Sequence, residues 1–293
     1  MRSGLPMAFL LALSFSGSAW AQDALRGGDC ANVQPQPVVL RGAESFTYKS
    51  TLGPEARDLR VHVFQPKGSG IHPAILFFFG GGWRTGALSA FEEQAKAFTA
   101  HGYVSILADY RVACRDKTTA VEAVVDAADA YGWLLNHARE LNVDRKRLVL
   151  SGGSAGGHLA LTTAILAPAD RKPGALVLFN PAVDIVKIAP AIGLPLDQAR
   201  PISPSLLPVA GLPPTIIFHG KADRTVPIET TRAFCARMTA ANLSCEMVEY
   251  VGQDHGFFQS HALDREIGLA PYDDTLAKSL AFVDKRLGPS GPR

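Results

Sequence analysis

The sequence lacks the features that would tie it to nucleic acid or to a metal ion. Its 293 residues include 29 basic and 27 acidic side chains, a formal net charge of +2, without long blocks of like charge. This balance disfavours nucleic acid as a partner. Only four cysteines are present, and their scattered spacing forms no zinc motif. Internal repeats and low-complexity tracts are also missing, so we expect one globular domain.

An apolar run near the start of the chain is too short to serve as a membrane span. It covers residues 7–15, and a helix needs to cross about 30 Å of hydrocarbon. Arg2 precedes the run and Ala19-Trp20-Ala21 follows it, which is typical of a cleaved export signal. We therefore expect a signal peptide over 1–21 and a secreted or periplasmic mature domain over 22–293. An uncleaved anchor is the alternative, and no cysteine adjoins the cut to carry a lipid.

The four cysteines, Cys30, Cys114, Cys235 and Cys245, all lie in the expected mature chain. An even count in an exported protein favours two disulfides, and three pairings are possible. Cys235 falls on a helical pattern and Cys245 opens the next strand, so we favour that pair, which leaves Cys30 for Cys114. Free buried thiols are the alternative.

Short apolar runs alternate with helical patterns along the chain. Several runs are continuous rather than alternating, as in residues 74–79, which suits strands that are covered on both faces. We therefore predict an α/β fold with a mostly parallel sheet of about eight strands, flanked by helices on both faces. The predicted strands are 45–50, 59–64, 74–79, 103–108, 147–151, 175–180, 215–219 and 246–251, and the predicted helices are 88–101, 119–140, 155–167, 227–241 and 272–287.

The segment 181–214 breaks this alternation. Eight prolines leave little room for a long helix, so we predict an excursion over the sheet at the edge that carries the active site. Loops at the carboxyl ends of parallel strands commonly form ligand crevices, and the segment could line a substrate pocket. A connector stiffened by proline is the alternative.

One turn, Gly152-Gly153-Ser154-Ala155-Gly156, lies between an apolar strand and an apolar helical pattern. A sharp strand-to-helix turn of this kind strains the serine backbone and leaves room only for glycine two residues to either side. It raises the hydroxyl above the sheet edge. Ser154 is therefore the candidate nucleophile, with a plain glycine-rich loop as the alternative.

A serine nucleophile needs an imidazole to take its proton and a carboxylate to orient that imidazole. Asp223 and His255 each follow a predicted strand and come in the order Ser, Asp, His. We predict that Asp223 is the acid and His255 the base. The alternative is that Asp223 forms a turn or caps a helix and that His255 has a structural role. Asp184 is the reserve acid, and His219 is interpreted as structural because it precedes any suitable acid.

Two more residues near the candidate site receive structural interpretations. Asp254 is expected to shape the loop beside its neighbour His255, and His158 lies on the helix that follows the nucleophile.

Acyl transfer also requires donors for the oxyanion of the tetrahedral intermediate. Phe79-Gly80-Gly81-Gly82-Trp83 follows a predicted strand, and glycines allow backbone amides to approach a substrate closely. We predict that the amides of Gly81, Gly82 and Ala155 are these donors. A phosphate loop is disfavoured because no Gly-Lys-Ser/Thr follows.

With these motifs, the chain resembles the α/β-hydrolase superfamily. Within it, residues 57–287 are similar to secreted carboxylesterases related to the hormone-sensitive-lipase group and to bacterial acetyl and feruloyl esterases. The likeness also rests on Asp109-Tyr110-Arg111, which is structural in that family, and on His219-Gly220. Phe79 departs from the histidine that usually braces the glycine loop, so bracing is left to packing.

The resemblance implies a serine carboxylesterase that acts through an acyl-enzyme and needs no metal or organic cofactor. A small-molecule or carbohydrate-linked ester is the expected partner, with short acyl or aryl-acyl groups, and acetyl xylan or feruloyl polysaccharide is one alternative. An amide or peptide hydrolase with the same triad is another. A catalytically dead binding protein on the same scaffold is a third.

Overall fold

The fold is built on one eight-stranded sheet, seen in a computed structural model that describes residue 30 and residues 38–289. The predicted signal peptide lies outside the described residues. All eight predicted strands are present, with ends that differ by a few residues. They are β1 (Glu44–Ser50), β2 (Asp58–Phe64), β3 (His72–Phe78), β4 (Val104–Ala108), β5 (Val143–Gly153), β6 (Ala175–Phe179), β7 (Thr215–Gly220) and β8 (Cys245–Tyr250).

Helices follow most of the strands, as the alternating pattern predicts. The longest, α3, begins with a capping box in which Thr119 and Glu122 satisfy each other's backbone N–H groups. The helices of the described residues are α1 (Glu92–Ala100), α2 (Ala113–Asp116), α3 (Ala120–His137), α4 (Ala155–Leu166), α5 (Ile185–Ile192), α6 (Leu196–Ala199), α7 (Ile228–Ala240) and α8 (Pro271–Leu287). The first predicted helix divides into a 3₁₀ turn, Leu88–Phe91, and α1.

The strand order in the sheet is β1-β2-β4-β3-β5-β6-β7-β8. Strands β3 to β8 run parallel, whereas β2 lies antiparallel to both β1 and β4. Every residue of β3 is buried, which explains its unbroken apolar sequence. Parallel strands bring their carboxyl ends to one edge, so the turns after β5, β7 and β8 gather there.

The proline-rich segment 181–214 contains two short helices, α5 and α6, and a 3₁₀ turn. Asp184, the reserve acid, accepts a hydrogen bond from the Lys187 backbone and caps α5. The side chain of Arg237 on α7 donates to three carbonyl groups of the segment, including that of Ser205. These contacts fix the segment against the body of the domain, and Asp184 acts there as a helix cap.

Two disulfides join the cysteines in the favoured pairing. Cys235 on α7 bonds Cys245 at the start of β8, ten residues later in the chain. Cys30 bonds Cys114 on α2 across a separation of 84 residues. No free cysteine remains in the described residues.

Candidate active site

Ser154 occupies a strained turn between β5 and α4. Its φ of 55° and ψ of −118° lie in a region that side chains other than glycine rarely adopt. A Cβ on Gly152 would lie 2.5 Å from the Gly156 carbonyl, and one on Gly156 would lie 2.0 Å from the carbonyl oxygen of Phe78. Only glycine fits at either position. The turn is therefore packed tightly enough to hold the strained serine.

Asp223 and His255 meet above the same edge of the sheet. His255 Nδ1 lies 2.8 Å from Asp223 Oδ2, and the carboxylate is fully buried while the imidazole is 24% exposed. The other oxygen, Oδ1, accepts hydrogen bonds from the backbone N–H groups of Thr225 and Val226. Because a carboxylate accepts, Nδ1 carries the proton and Nε2 is left as a base.

A cavity of about 230 Å³ lies beside Ser154 and also contacts His255. Its apolar wall is formed by Phe91 and Phe258, and glycines form much of the rest. None of its lining residues belongs to 181–214. A substrate-lining role for that segment stays a prediction. The lining residues are Gly80, Gly81, Gly86, Ala87, Ala90, Phe91, Gly153, Ser154, Asn180, His255, Gly256, Phe258 and Gln259.

The glycine loop after β3 runs along this cavity. A Cβ on Gly80 would lie 3.5 Å from Ser154 Cβ, so the loop passes close to the candidate nucleophile. Gly81 and Gly82 have φ values of 128° and 61°, which suit glycine. Their N–H groups donate none of the turn and loop backbone hydrogen bonds of the described residues. Ala155 opens α4 directly after Ser154, where helix N–H groups lack intrahelical partners.

Comparison with known proteins finds esterases. The BD-FAE family matches residues 61–189. Esterase 2 of the Planctomycetes species Thermogutta terrifontis, solved with propionate bound, is 36% identical over 89% of this chain and 100% of that chain, with a TM-score of 0.75. The same esterase phosphorylated by paraoxon is 37% identical over 89% of this chain and 100% of that one, again with a TM-score of 0.75. The chain belongs to the α/β-hydrolase carboxylesterases.

The curated relatives are also named as a lipase and an esterase, but these matches cover a smaller share of each chain. Lipase 2 of Moraxella sp. (strain TA144) is 32% identical over 52% of this chain and 35% of its own length. Esterase LipC of Mycobacterium tuberculosis (strain ATCC 25618 / H37Rv) is 24% identical over 63% of this chain and 53% of its own length. The match thus spans about half, or less, of these relatives. The predicted family and α/β-hydrolase fold are confirmed.

Packing braces the glycine loop of this carboxylesterase where relatives of the hormone-sensitive-lipase type use histidine. The Phe79 ring stacks on Tyr110 at 4.1 Å between centroids, and the Tyr110 hydroxyl donates to the Phe79 carbonyl at 2.7 Å. Gly86 packs directly against the Phe79 ring, since a Cβ there would lie 2.4 Å from it. Tyr110 belongs to the motif that the resemblance identified as structural.

The charge state of Asp223 follows from its surroundings. Burial by itself raises the pKa of a carboxyl group, but hydrogen bonds from His219, His255 and the Val226 backbone outweigh it. The pKa of Asp223 therefore lies well below its ordinary value. The carboxylate stays ionised wherever the protein is folded near neutral pH, and its charge is available to an imidazolium at His255.

His219 contacts Asp223, the candidate acid, and the sequence analysis did not predict this contact. The imidazole is fully buried, and its Nε2 lies 3.3 Å from Asp223 Oδ2 and 2.9 Å from the Val226 carbonyl oxygen. Both partners are acceptors, so Nε2 carries the proton and donates to them. The sequence signal for this contact was the spacing of four residues between His219, near the end of β7, and Asp223, in the turn that follows. The interpretation of His219 as structural stays a prediction, and its contacts place it against Asp223, the candidate acid.

Asn180 is a neighbour of His255, the candidate base, that the sequence analysis did not predict. It follows β6 with φ of 35°, and its side-chain nitrogen lies 3.2 Å from His255 Nδ1. Its position at a strand end beside β7 was the only sequence signal. Asn180 therefore contacts the imidazole at the same nitrogen that faces Asp223.

The remaining candidates have structural roles. Asp254 Oδ1 accepts from the backbone N–H groups of Arg224 and His255, which ties the two loops together as expected of a loop-shaping residue. His158 on α4 is fully buried, and its Nε2 donates to the Ile202 carbonyl at 2.6 Å. Burial lowers the pKa of His158 to about 4, so it stays neutral. Among the described residues, no cluster of His, Cys, Asp or Glu is suited to hold a metal.

Proposed function

We propose that the protein is a serine carboxylesterase that works through an acyl-enzyme. Ser154 attacks the ester carbonyl while His255 accepts its proton, and the same imidazole then returns the proton to the leaving alcohol. Asp223 fixes the tautomer of His255 and stabilises its positive charge. Water, activated by the freed imidazole, releases the acid. The 2.8 Å contact between His255 and the buried Asp223, beside the cavity that also holds Ser154, carries this proposal.

The oxyanion of the intermediate is held by backbone amides. We assign the donors to Gly81, Gly82 and Ala155, because the first two line or adjoin the cavity and Ala155 directly follows the nucleophile. Removing one such donor costs on the order of 10²- to 10³-fold in turnover. The loop geometry supports these donors because the φ of 128° at Gly81 is one that residues other than glycine rarely adopt.

The decisive test is covalent labelling of Ser154 by paraoxon. The wild-type protein should gain one phosphoryl adduct by intact mass, mapped to the peptide of Ser154, and lose hydrolysis of 4-nitrophenyl acetate in parallel. Ser154→Ala should neither label nor turn over. Ser151→Ala is the matched control, since Ser151 is buried on β5 with no hydrogen-bond partner for its hydroxyl among the described residues, and it should label normally. Turnover by folded Ser154→Ala would refute the assignment.

The small cavity supports short acyl groups. Its volume of about 230 Å³ and the close walls of Phe91 and Phe258 leave little room for a long chain. Hydrolysis of 4-nitrophenyl esters should therefore fall steeply as the acyl chain lengthens. An amide hydrolase with the same triad remains the second candidate, and matched ester and anilide substrates of one acyl group separate the two activities.

We also propose that residues 22–293 form one exported domain. The two disulfides support this location because such bonds persist in oxidising compartments. Within residues 38–289, no helix combines the length and the apolar character needed to cross a bilayer. Sequencing the amino terminus of protein recovered from the periplasm or the medium tests the proposed cut before Gln22.

A further inference from the structure

Asn180 follows β6 at a point where the chain is bonded to the nucleophile turn. The Ser154 N–H donates to the Phe179 carbonyl at 2.9 Å, and the Ala182 N–H donates to the Ser154 carbonyl at 3.2 Å. The N–H of Asn180 itself donates to the Phe218 carbonyl on β7 at 2.7 Å. Hydrogen bonds on both sides therefore fix the backbone of Asn180 relative to Ser154.

The side chain of Asn180 covers one face of the His255 imidazole. Its Nδ2 lies 3.2 Å from Nδ1 and 3.4 Å from Nε2 of the ring. An atom this close to both nitrogens lies over the ring face, because within the ring plane it would collide with the ring carbons. The Nδ1 proton points instead toward Asp223, so Asn180 does not compete with the acid for that proton.

The backbone conformation alone does not account for an asparagine side chain at this position. The φ of 35° at Asn180 is positive, and glycine would suit it as well as asparagine does. The residue is only 1% exposed, and its Oδ1 is enclosed without a hydrogen-bond partner among the described residues. An unpaired buried oxygen lowers the stability of a fold. The contact with His255 therefore gives the side chain a role other than stability.

The imidazole of His255 needs a restraint beyond its contact with Asp223. The hydrogen bond to the acid holds the ring at Nδ1, and the side chain is 24% exposed. A ring held at one corner can pivot about that bond, and the pivot displaces Nε2, the atom that takes the Ser154 proton. A displacement of about 1 Å can lower the rate on the order of 10²-fold. A side chain packed on the ring face opposes the pivot.

We propose that Asn180 is a positioning residue for His255, whose side chain packs on the imidazole and holds Nε2 in place for proton transfer from Ser154. The inference rests on the proposed esterase function. Because the backbone on both sides of Asn180 is bonded to Ser154, the side chain fixes the base relative to the nucleophile. Asn180 also lines the cavity beside Ser154, so a contact with the acyl group is the competing role. Such a contact would change KM, whereas positioning of the base changes kcat.

The test compares variants that all tolerate the positive φ. Asn180→Gly removes the side chain, and Asn180→Asp keeps its shape. With 4-nitrophenyl acetate, Asn180→Gly should lower kcat by about 10- to 100-fold and leave KM within about twofold, because His255 serves both acylation and deacylation. Asn180→Asp should recover at least half of the loss on a logarithmic scale. Asn242→Gly is the matched control, since Asn242 is exposed with a φ of 58°, and it should keep the wild-type kcat.

A spectroscopic signature reports the ring directly. The proton between His255 and Asp223 should give a downfield ¹H NMR signal in the wild type and in Asn180→Asp. In Asn180→Gly the freed ring should exchange this proton with water faster, so the signal should broaden or vanish. Asn180→Ser, whose side chain is too short to cover the ring, is measured beside the glycine variant and should behave in the same way. It keeps the test available if Asn180→Gly does not fold.

Three results would overturn the proposal. A wild-type kcat in folded Asn180→Gly or Asn180→Ser would show that the asparagine serves only the turn after β6. A higher KM with an unchanged kcat would assign Asn180 to the acyl pocket. A lower kcat with an unchanged downfield signal would separate the loss from the restraint on the ring. Failure of the wild-type protein to hydrolyse 4-nitrophenyl acetate is a distinct result, which would refute the esterase function and this inference with it.

Discussion

His219 offers a direct test of how the acid is held. In His219→Leu the buried side chain keeps its bulk, but Asp223 Oδ2 and the Val226 carbonyl each lose a donor. In His219→Gln the terminal amide nitrogen reaches the same region and can still donate. The pair of variants therefore separates the hydrogen bond from the packing.

The magnitude follows from the contacts of the carboxylate. A hydrogen bond to a charged group contributes about 1.5–3 kcal/mol, and Asp223 loses one of the four that it accepts in the structure. We expect the free energy of unfolding of His219→Leu to fall by about 2–3 kcal/mol near neutral pH. His219→Gln should recover at least half of that loss. Urea unfolding followed by circular dichroism measures both.

A pH profile distinguishes an effect on the acid from a simple packing defect. The hydrogen bond from His219 is one of the contacts that hold the pKa of Asp223 below its ordinary value, so that pKa rises when His219 is removed. The loss of unfolding free energy on acidification should therefore be smaller in His219→Leu than in the wild type and unchanged in His219→Gln. If both variants kept the wild-type profile while losing stability, His219 would be a core side chain only, and the reasoning would be wrong.

Two further predictions concern the framework of the site. Gly156→Ala should lower the free energy of unfolding in urea by about 3 kcal/mol, because its Cβ would lie 2.0 Å from the carbonyl oxygen of Phe78. Gly132→Ala is the matched control: a Cβ there meets nothing within 4 Å, so it should stabilise α3 by about 0.5–1 kcal/mol. An unchanged urea midpoint for Gly156→Ala would contradict the packing argument. Removing the disulfide Cys30–Cys114, which closes a loop of 84 residues, should lower the free energy of unfolding by about 4.6 kcal/mol. Removing Cys235–Cys245, which closes a loop of 10 residues, should lower it by about 2.7 kcal/mol. A larger drop in thermal stability for the second disulfide than for the first would contradict the explanation by loop entropy.

Most of the fold could be predicted because its signals are local. The continuous apolar run of β3 and the glycines around Ser154 each determine their element within a few residues of sequence. The predicted ends of the strands were less accurate than their positions in the chain. Strand β5 begins at Val143, four residues before the predicted start, because the charged residues that open it lie at the sheet margin where side chains reach solvent.

Contacts between distant elements could not be predicted in the same way. Gln94 on α1 and Tyr272 at the start of α8 line the same surface cavity, and no spacing rule links positions so far apart in the chain. The contact between His219 and Asp223 is closer in sequence, yet it depends on the turn after β7 folding back on itself. Side-chain placement of this kind requires the three-dimensional structure.

The two histidines that contact Asp223 also determine how the stability of the protein should depend on pH. Since the pKa of this carboxyl is depressed in the folded protein, its contribution to stability is complete above the unfolded value, about 3.9, and is lost only as the pH falls toward the folded one. Asp223→Asn removes the charge that this contribution depends on. It should therefore lower the free energy of unfolding more near neutral pH than at about pH 3, and urea unfolding at the two pH values measures the difference.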